Sequence, residues 1–197
     1  MLDLKSRYVC TGKRAVGTAR ELFVESALTL LGFHVERVGL GVGSNGYVDG
    51  WSRGVDAFDF KACFVENSKL VQFYVEVTGC GLPLQQSRRI LRERLKLDKP
   101  GVLVQKTKLE KLERHKPDLP AVIVHVWDRL LRAEWTWPEL VRQNTIAELR
   151  IPGEPNPYIV TPLEIWKPLT ELRRGVQQKP TLTVADLMLR GRRHVGV

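Results

Sequence analysis

Apolar and polar residues follow one another along the chain with spacings that predict helices in some segments and strands in others. Leu22, Ala27, Leu30 and Leu31 recur at helical spacing near the start. Gly32 follows directly, and glycine readily takes the left-handed conformation that ends a helix. This segment is the clearest helix signal in the sequence.

Strand signals come next. Residues 33–38 alternate as a short strand, and the runs at 55–65 and 70–78 are rich in β-branched and aromatic residues. The four residues Glu66–Lys69 between those two runs are typical of a hairpin turn. Residues 121–126 (AVIVHV) are almost continuously apolar, which indicates a central strand buried on both faces.

The second half of the chain mixes both kinds of signal. Residues 84–97 and 107–115 predict helices, with a short strand at 102–105 between them. Residues 129–149 are expected to be helical, and frequent prolines interrupt the chain from position 152 onward. This order of elements predicts an α/β fold with a mixed central sheet flanked by helices. We expect a basic N-terminal arm (1–15), the core (16–127) and a helical, proline-interrupted C-terminal extension (128–197).

Composition places the chain among globular proteins with a polyanionic partner. Of its 197 residues, 43% are hydrophobic and 27% charged, which is too apolar a composition for disorder. No apolar run is long enough to span a membrane, and the three cysteines form no C-x-x-C pair, so a cytoplasmic location and no membrane partner are expected. The net charge of +9 favours nucleic acid.

Much of this excess lies in one stretch. Residues 84–116 hold eleven lysines and arginines against four acidic residues. A solvated helix face usually mixes the two signs more evenly, so phosphate binding is the favoured interpretation, with the solvated face as the alternative. The candidate nucleic-acid-binding residues are Lys13, Arg14, Arg88, Arg89, Arg92, Lys106 and Lys108.

Four carboxylates form the candidate chemical site: Glu21, Asp56, Asp59 and Glu76. Glu76 lies within the apolar strand sequence FYVEVTG, where an ionised group is costly unless it is paired or binds a cation. Carboxylate oxygens on adjacent strands are the ligands that Mg²⁺ or Mn²⁺ prefers. Such an ion would assist hydrolysis of a phosphodiester, which suits a basic protein.

Each of these residues also has an ordinary structural interpretation. Glu21 stands three residues after Thr18, the arrangement of a capping box at a helix start. Asp56 and Asp59 could be strand-entry or turn residues. Glu76 could lie on the exposed face of its strand.

Together, the residues resemble the archaeal Holliday-junction resolvases of the PD-(D/E)xK restriction-endonuclease-like superfamily. Gly17 and Glu21 match the glycine and glutamate of the family's first helix, and Ser44 matches its loop serine. Val55–Asp56 stands at the P-D position, with valine for proline, and Val75–Val77 matches the start of the E-x-K motif. The resemblance covers about residues 13–80.

This resemblance implies a Mg²⁺- or Mn²⁺-dependent DNA endonuclease acting on branched or otherwise structured DNA. Glu21, Asp56 and Glu76 would hold the metal, and Ser44 would lie near the scissile phosphate. Asp59 competes with Asp56 for this role, although their odd separation places them on opposite faces of a regular strand.

The sequence departs from the motif at Thr78, which stands where the family has a lysine, and a hydroxyl cannot supply that charge. Lys61, Lys106 or Lys108 could reach in instead, and the sequence does not choose among them. A catalytically inactive DNA-binding protein that keeps the nuclease fold is therefore the alternative function.

Assembly and the remaining side chains add two expectations. A resolvase-like nuclease implies a homodimer that cuts two strands symmetrically, and residues 127–137, with three tryptophans, are a candidate apolar interface. Packing within the monomer is the alternative for those tryptophans. His125, within the apolar run, is expected to be a buried strand histidine rather than a catalyst.

Overall fold

The computed structural model describes residues 12–38, 58–80, 84–98, 100–115, 119–151 and 156–177. Within them, the helices are α1 (Gly12–Leu30), α2 (Leu84–Leu95), α3 (Lys106–His115), α4 (Pro138–Gln143) and α5 (Leu172–Gln177). Short 3₁₀ turns cover Leu163–Ile165 and Leu169–Glu171. The strands are β1 (His34–Arg37), β2 (Phe60–Glu66), β3 (Lys69–Cys80), β4 (Gly101–Gln105), β5 (Ala121–Trp127), β6 (Arg132–Thr136), β7 (Ala147–Leu149), β8 (Tyr158–Pro162) and β9 (Lys167–Pro168).

The strands form two sheets. The main sheet has six strands in the order β1-β2-β3-β5-β6-β9, in which β3 and β5 are parallel and the other neighbours antiparallel. The second sheet has the order β4-β8-β7 and is antiparallel. The α/β class with a mixed central sheet flanked by helices is therefore confirmed.

Apolar side chains cover both faces of β5, as its unbroken apolar sequence predicts. Val122, Val124 and Val126 belong to one core, which α1 completes with Val24 and Leu28. The residues between them face a second core that contains side chains of β4, α3 and α4. Burial on both faces requires a continuous apolar strand rather than an alternating one.

Two turns fix the position of the elements around the site. Gly32, at φ +84°, ends α1, and the amides of Gly32 and Phe33 donate back to the carbonyls of Thr29 and Leu28, as in a Schellman motif. Asn67 and Ser68, both at positive φ, join β2 to β3 through a two-residue loop. Both turns agree with the sequence predictions.

The prediction of helix over 129–149 is wrong. After a turn at residues 128–131 the chain forms β6, whose residues 133–136 are buried in antiparallel pairing with β5. Only the six residues of α4 are helical, and β7 follows. Trp135 is buried in the core that α1 covers, so tertiary packing rather than local helix propensity decides this segment.

The segments predicted on either side of the core are described in part. The extension expected to be helical over 128–197 contributes, in its described part, strands to both sheets. The basic arm expected over 1–15 overlaps α1, which begins at Gly12. Thr18 is therefore inside the helix, and Glu21 is not the third residue of a capping box. The remaining residues of the arm, and the end of the extension from residue 178, lie outside the described residues.

Candidate functional site

Glu76 lies in the middle of the main sheet and is completely buried. Its neighbours Val75 and Val77 point into the core beneath α1, so the strand alternation turns Glu76 to the opposite face, towards α3. Its Oε2 atom has no hydrogen-bond donor among the described residues. Burial, followed by the charge of Asp59, raises the pKa of Glu76 to about 7.

Asp59 lies beside Glu76 because of the hairpin register. Phe60 pairs with Val75, and the Asp59 amide donates to the Val75 carbonyl at 3.1 Å, which places Asp59 across from Glu76. Its Oδ2 atom accepts a hydrogen bond of 2.6 Å from the Val77 amide. Asp59 therefore holds the end of the β2–β3 pairing and directs a carboxylate at the same site.

Helix α3 brings two lysines to this pair of carboxylates. Lys108 forms an ion pair with Glu76 Oε1, and its Nζ lies 3.8 Å from Asp59 Oδ2. Lys111, one helical turn later, has its Nζ 3.7 Å from the same Glu76 oxygen. Leu109 and Leu112, the residues that follow each lysine, are buried and anchor the helix. A basic helix thus places two ammonium groups beside a buried carboxylate.

Glu21 belongs to the same electrostatic cluster. It lies on the stripe of α1 that includes Val24 and Leu28, so its carboxylate is turned towards the protein interior. Burial, followed by the charge of Asp59, raises the pKa of Glu21 to about 7, while Lys108 and Arg37 oppose the rise. The charge of Glu76 adds to it. Among the described carboxylates, Glu21, Asp59 and Glu76 thus influence one another.

Of the other predicted catalytic residues, the two that the structure describes, Thr78 and Lys61, do not join this cluster. Thr78 is buried on the Glu76 face and pairs with His125 in the sheet, so it supplies no charge. Lys61 is half-buried, pairs with Tyr74 across β2–β3 and makes no ion pair with a described carboxylate. Asp56 and Ser44 lie outside the described residues, as does the glycine-rich loop.

The basic residues divide between surface and site. Arg88 and Arg89 are exposed on α2 and pair with Asp98 and Glu93 at 3.2 and 2.9 Å. Arg92 is exposed on the same helix. Lys106 pairs with Glu148 at 2.7 Å on the surface, whereas Lys108 lies at the carboxylates. The side chains of Lys13 and Arg14 are outside the described set, although both residues belong to α1.

The chemistry of the two facing carboxylates fits a divalent ion. Mg²⁺ is commonly held by one or two carboxylates, with waters and substrate phosphates completing its shell. Asp59 and Glu76 provide such a pair, and the unpartnered Oε2 of Glu76 is a ligand atom with no other partner in the described part of the chain. The described residues include no cluster of three His, Cys, Asp or Glu side chains close enough to hold a metal alone.

The structure brings two residues to the site that the sequence does not single out. The sequence presents Asp59 only as a rival to Asp56, and it gives no reason to choose Lys111. The turn Glu66–Lys69 contained the signal for Asp59, because a two-residue loop fixes which residues face each other. The signal for Lys111 is weaker, since a spacing of three after Lys108 shows only that both lysines share one helix face.

A second buried polar group lies further along the same face. His125 is completely buried, with its ring centroid 4.7 Å from that of Trp127 and 5.6 Å from that of Trp166. Neither ring nitrogen has a hydrogen-bond partner among the described residues. Burial lowers the pKa of His125 to about 3, from an ordinary value of 6.5.

We predict that His125 makes the fold acid-sensitive. The unfolded chain binds a proton at this histidine below pH 6.5, whereas the folded chain does so only near pH 3. Above pH 6.5 His125 does not lower the free energy of unfolding. As the pH falls from 6.5 towards 3, the free energy of unfolding decreases by up to ~1.4 kcal/mol per pH unit because of this histidine. Denaturant unfolding of wild type and His125→Leu at pH 7, 6 and 5 measures this, because both proteins share every other titrating group. Equal slopes in the two proteins would contradict the prediction.

The known proteins to which this chain is similar are solved structures. No protein-family model matches, and no curated protein sequence matches. A nuclease from a fusselovirus is similar over 86% of this chain and 95% of its own, at 19% identity and a TM-score of 0.41. Archaeoglobus fulgidus Hjc, a Holliday junction resolvase from an archaeal hyperthermophile, is similar over 79% of this chain and 98% of its own, at 12% identity and a TM-score of 0.43. Among the described residues, no helix combines the length and apolar character needed to cross a membrane.

Proposed function

We propose that this protein is a Mg²⁺- or Mn²⁺-dependent endonuclease that hydrolyses phosphodiester bonds in DNA, with branched or otherwise structured DNA as its preferred substrate. The observation that carries the proposal is the fully buried Glu76, paired with Asp59 across the sheet and covered by two lysines. A purely structural carboxylate at this position would have to offset a desolvation cost of several kcal/mol. A role in binding a catalytic metal ion would explain why two carboxylates occupy this costly position.

Asp59 and Glu76 would hold the ion, and Glu21 would contribute through an intervening water. A divalent ion bound there supplies Lewis acidity and lowers the pKa of a coordinated water. The surrounding apolar side chains of β5 and α3 exclude bulk solvent, which strengthens every charge interaction at the site.

Lys108 and Lys111 are proposed to provide the positive charge that Thr78 lacks. Their ammonium groups reach Glu76 from α3 rather than from β3. A cation at this position stabilises negative charge that develops on a phosphate during hydrolysis. The role of the motif lysine then belongs to a neighbouring helix.

The exposed arginines of α2 would hold the DNA backbone. Arg88 and Arg89 are 54% and 70% exposed, and their partners are surface carboxylates. Exposed ion pairs of this kind contribute about 0–1 kcal/mol, so phosphate groups can replace those partners at little cost. Contacts of this type give affinity and orientation but do not read base sequence.

Incubation of plasmid, four-way-junction DNA and structured RNA with the protein and Mn²⁺ or Mg²⁺ tests the function, with EDTA as control. We expect cleavage of DNA, fastest for the junction, and none with EDTA. Intact DNA together with a gel shift would favour the inactive DNA-binding protein. Preferential cleavage of the RNA would favour an RNA-processing nuclease.

We further propose that the enzyme is a homodimer and acts in the cytoplasm. Two equivalent sites at a fixed separation suit the symmetric cutting of two strands. The tryptophans considered for this interface do not supply it, because Trp127 and Trp135 are buried in the monomer and Trp137 packs against the same core as Trp135. Light scattering should give about twice the 22.5 kDa chain mass, and a concentration-independent monomer mass would exclude the dimer.

A further inference from the structure

The Lys108 ammonium group lies between the two carboxylates that are proposed to bind the metal. It pairs with Glu76 Oε1 and lies 3.8 Å from Asp59 Oδ2. The Lys108 side chain is 24% exposed, whereas that of Glu76 is fully buried. Lys108 therefore reaches in from the rim of the site.

Lys111 has a different relation to the same group. Its Nζ lies 3.7 Å from Glu76 Oε1, and no ion pair links it to Asp59 within the described part of the chain. A divalent ion held by Asp59 and Glu76 would compete with the ammonium group of Lys108, which lies at both carboxylates, whereas Lys111 could remain beside Glu76. Two cations held by the same oxygens also repel each other strongly at such short range.

We infer that Lys108 is a tethered counter-ion that occupies the cation position in the metal-free protein and is displaced when the divalent ion binds, while Lys111 stays in place. The inference rests on the proposed function for the identity of the ion. Without a metal, Lys108 offsets part of the cost of the buried Glu76 and Asp59 charges. Metal binding must first break this ion pair, so Lys108 lowers the apparent metal affinity.

Displacement also links the metal to the substrate. Once released, the Lys108 ammonium group lies near the rim of the site and can pair with a phosphate of bound DNA. DNA then stabilises the displaced position and raises the affinity for metal, and by reciprocity the metal raises the affinity for DNA. Metal loading is thereby favoured when substrate is present.

Calorimetric titration with Mn²⁺ in the absence of DNA, at pH 8, tests the displacement. We expect Lys108→Met to bind Mn²⁺ at least about tenfold more tightly than wild type, because the competing cation is gone. Lys111→Met should change the affinity by no more than about threefold, since it removes only a nearby charge. Lys106→Met, on the same helix but paired with Glu148 on the surface, is the control and should match wild type. Thermal unfolding of each variant verifies that it is folded.

Amine acetylation of the wild-type chain gives a readout that needs no variant. Adding Mn²⁺ should increase the labelling of Lys108 several-fold relative to Lys106, as measured by mass spectrometry. Unchanged labelling, or Lys108→Met binding no more tightly than Lys111→Met, would overturn the displacement. Cleavage of DNA by the wild type in that case would leave the proposed function standing. Absence of Mn²⁺ binding and of cleavage in every protein would overturn both.

Discussion

Replacing Glu76 by glutamine is expected to reduce DNA cleavage by about 10³-fold or more, equivalent to roughly 4 kcal/mol of transition-state stabilisation. Glutamine keeps the size of the side chain but removes the charge through which Glu76 would hold a divalent ion. It also removes the counter-charge of Lys108 and Lys111. DNA binding should be equal or stronger, because a negative charge near the phosphates is lost.

Initial cleavage rates with Mn²⁺, gel shifts and thermal unfolding measure these three effects. Glu110→Gln is the matched control, since Glu110 lies on the same α3 helix but is exposed. The melting temperature of Glu76→Gln should not fall, because a neutral amide is less costly to bury than a carboxylate. Wild-type cleavage by this variant would exclude Glu76 from catalysis, whereas a large loss of stability would show that its role is structural.

The fold was predictable wherever one local rule governed a segment. Gly32 ends α1 because glycine takes positive φ without strain, and the apolar run 121–126 needs burial on both faces. Residues 132–136 were not predictable in this way. Their sequence RAEWT has no clear period, and these residues form a strand because they pair with β5 and β9.

The unusual position of Glu76 was visible in the sequence, because a carboxylate in the middle of an apolar strand is costly. The position of the two lysines beside it was not visible in the sequence. Lys108 and Lys111 follow β4, which belongs to a different sheet, so their approach to β3 depends on long-range packing of α3. Sequence spacing placed Lys61, Lys106 and Lys108 on equal terms, and the packing of α3 distinguishes them.

The choice between Asp59 and Asp56 is a question of register. Glu66 and Lys69 pair across the two-residue loop, Glu76 lies seven residues after Lys69, and Asp59 lies seven residues before Glu66. Asp59 is therefore the residue that faces Glu76. Asp56 precedes this position by three residues and lies outside the described residues.

Asp59→Asn is accordingly expected to reduce cleavage by about 10²–10³-fold through loss of a charged metal ligand, roughly 3–4 kcal/mol. The asparagine side chain keeps an oxygen that can accept the hydrogen bond from the Val77 amide, so thermal stability should change little. Asp56→Asn is the paired variant and should retain cleavage within about threefold, since about 0.7 kcal/mol separates such rates. Cleavage rates at saturating Mn²⁺, together with Mn²⁺ affinities measured without DNA, distinguish the two residues. The reverse pattern, an active Asp59→Asn and an inactive Asp56→Asn, would assign the metal to Asp56 and reduce Asp59 to a residue that holds the end of the strand pairing.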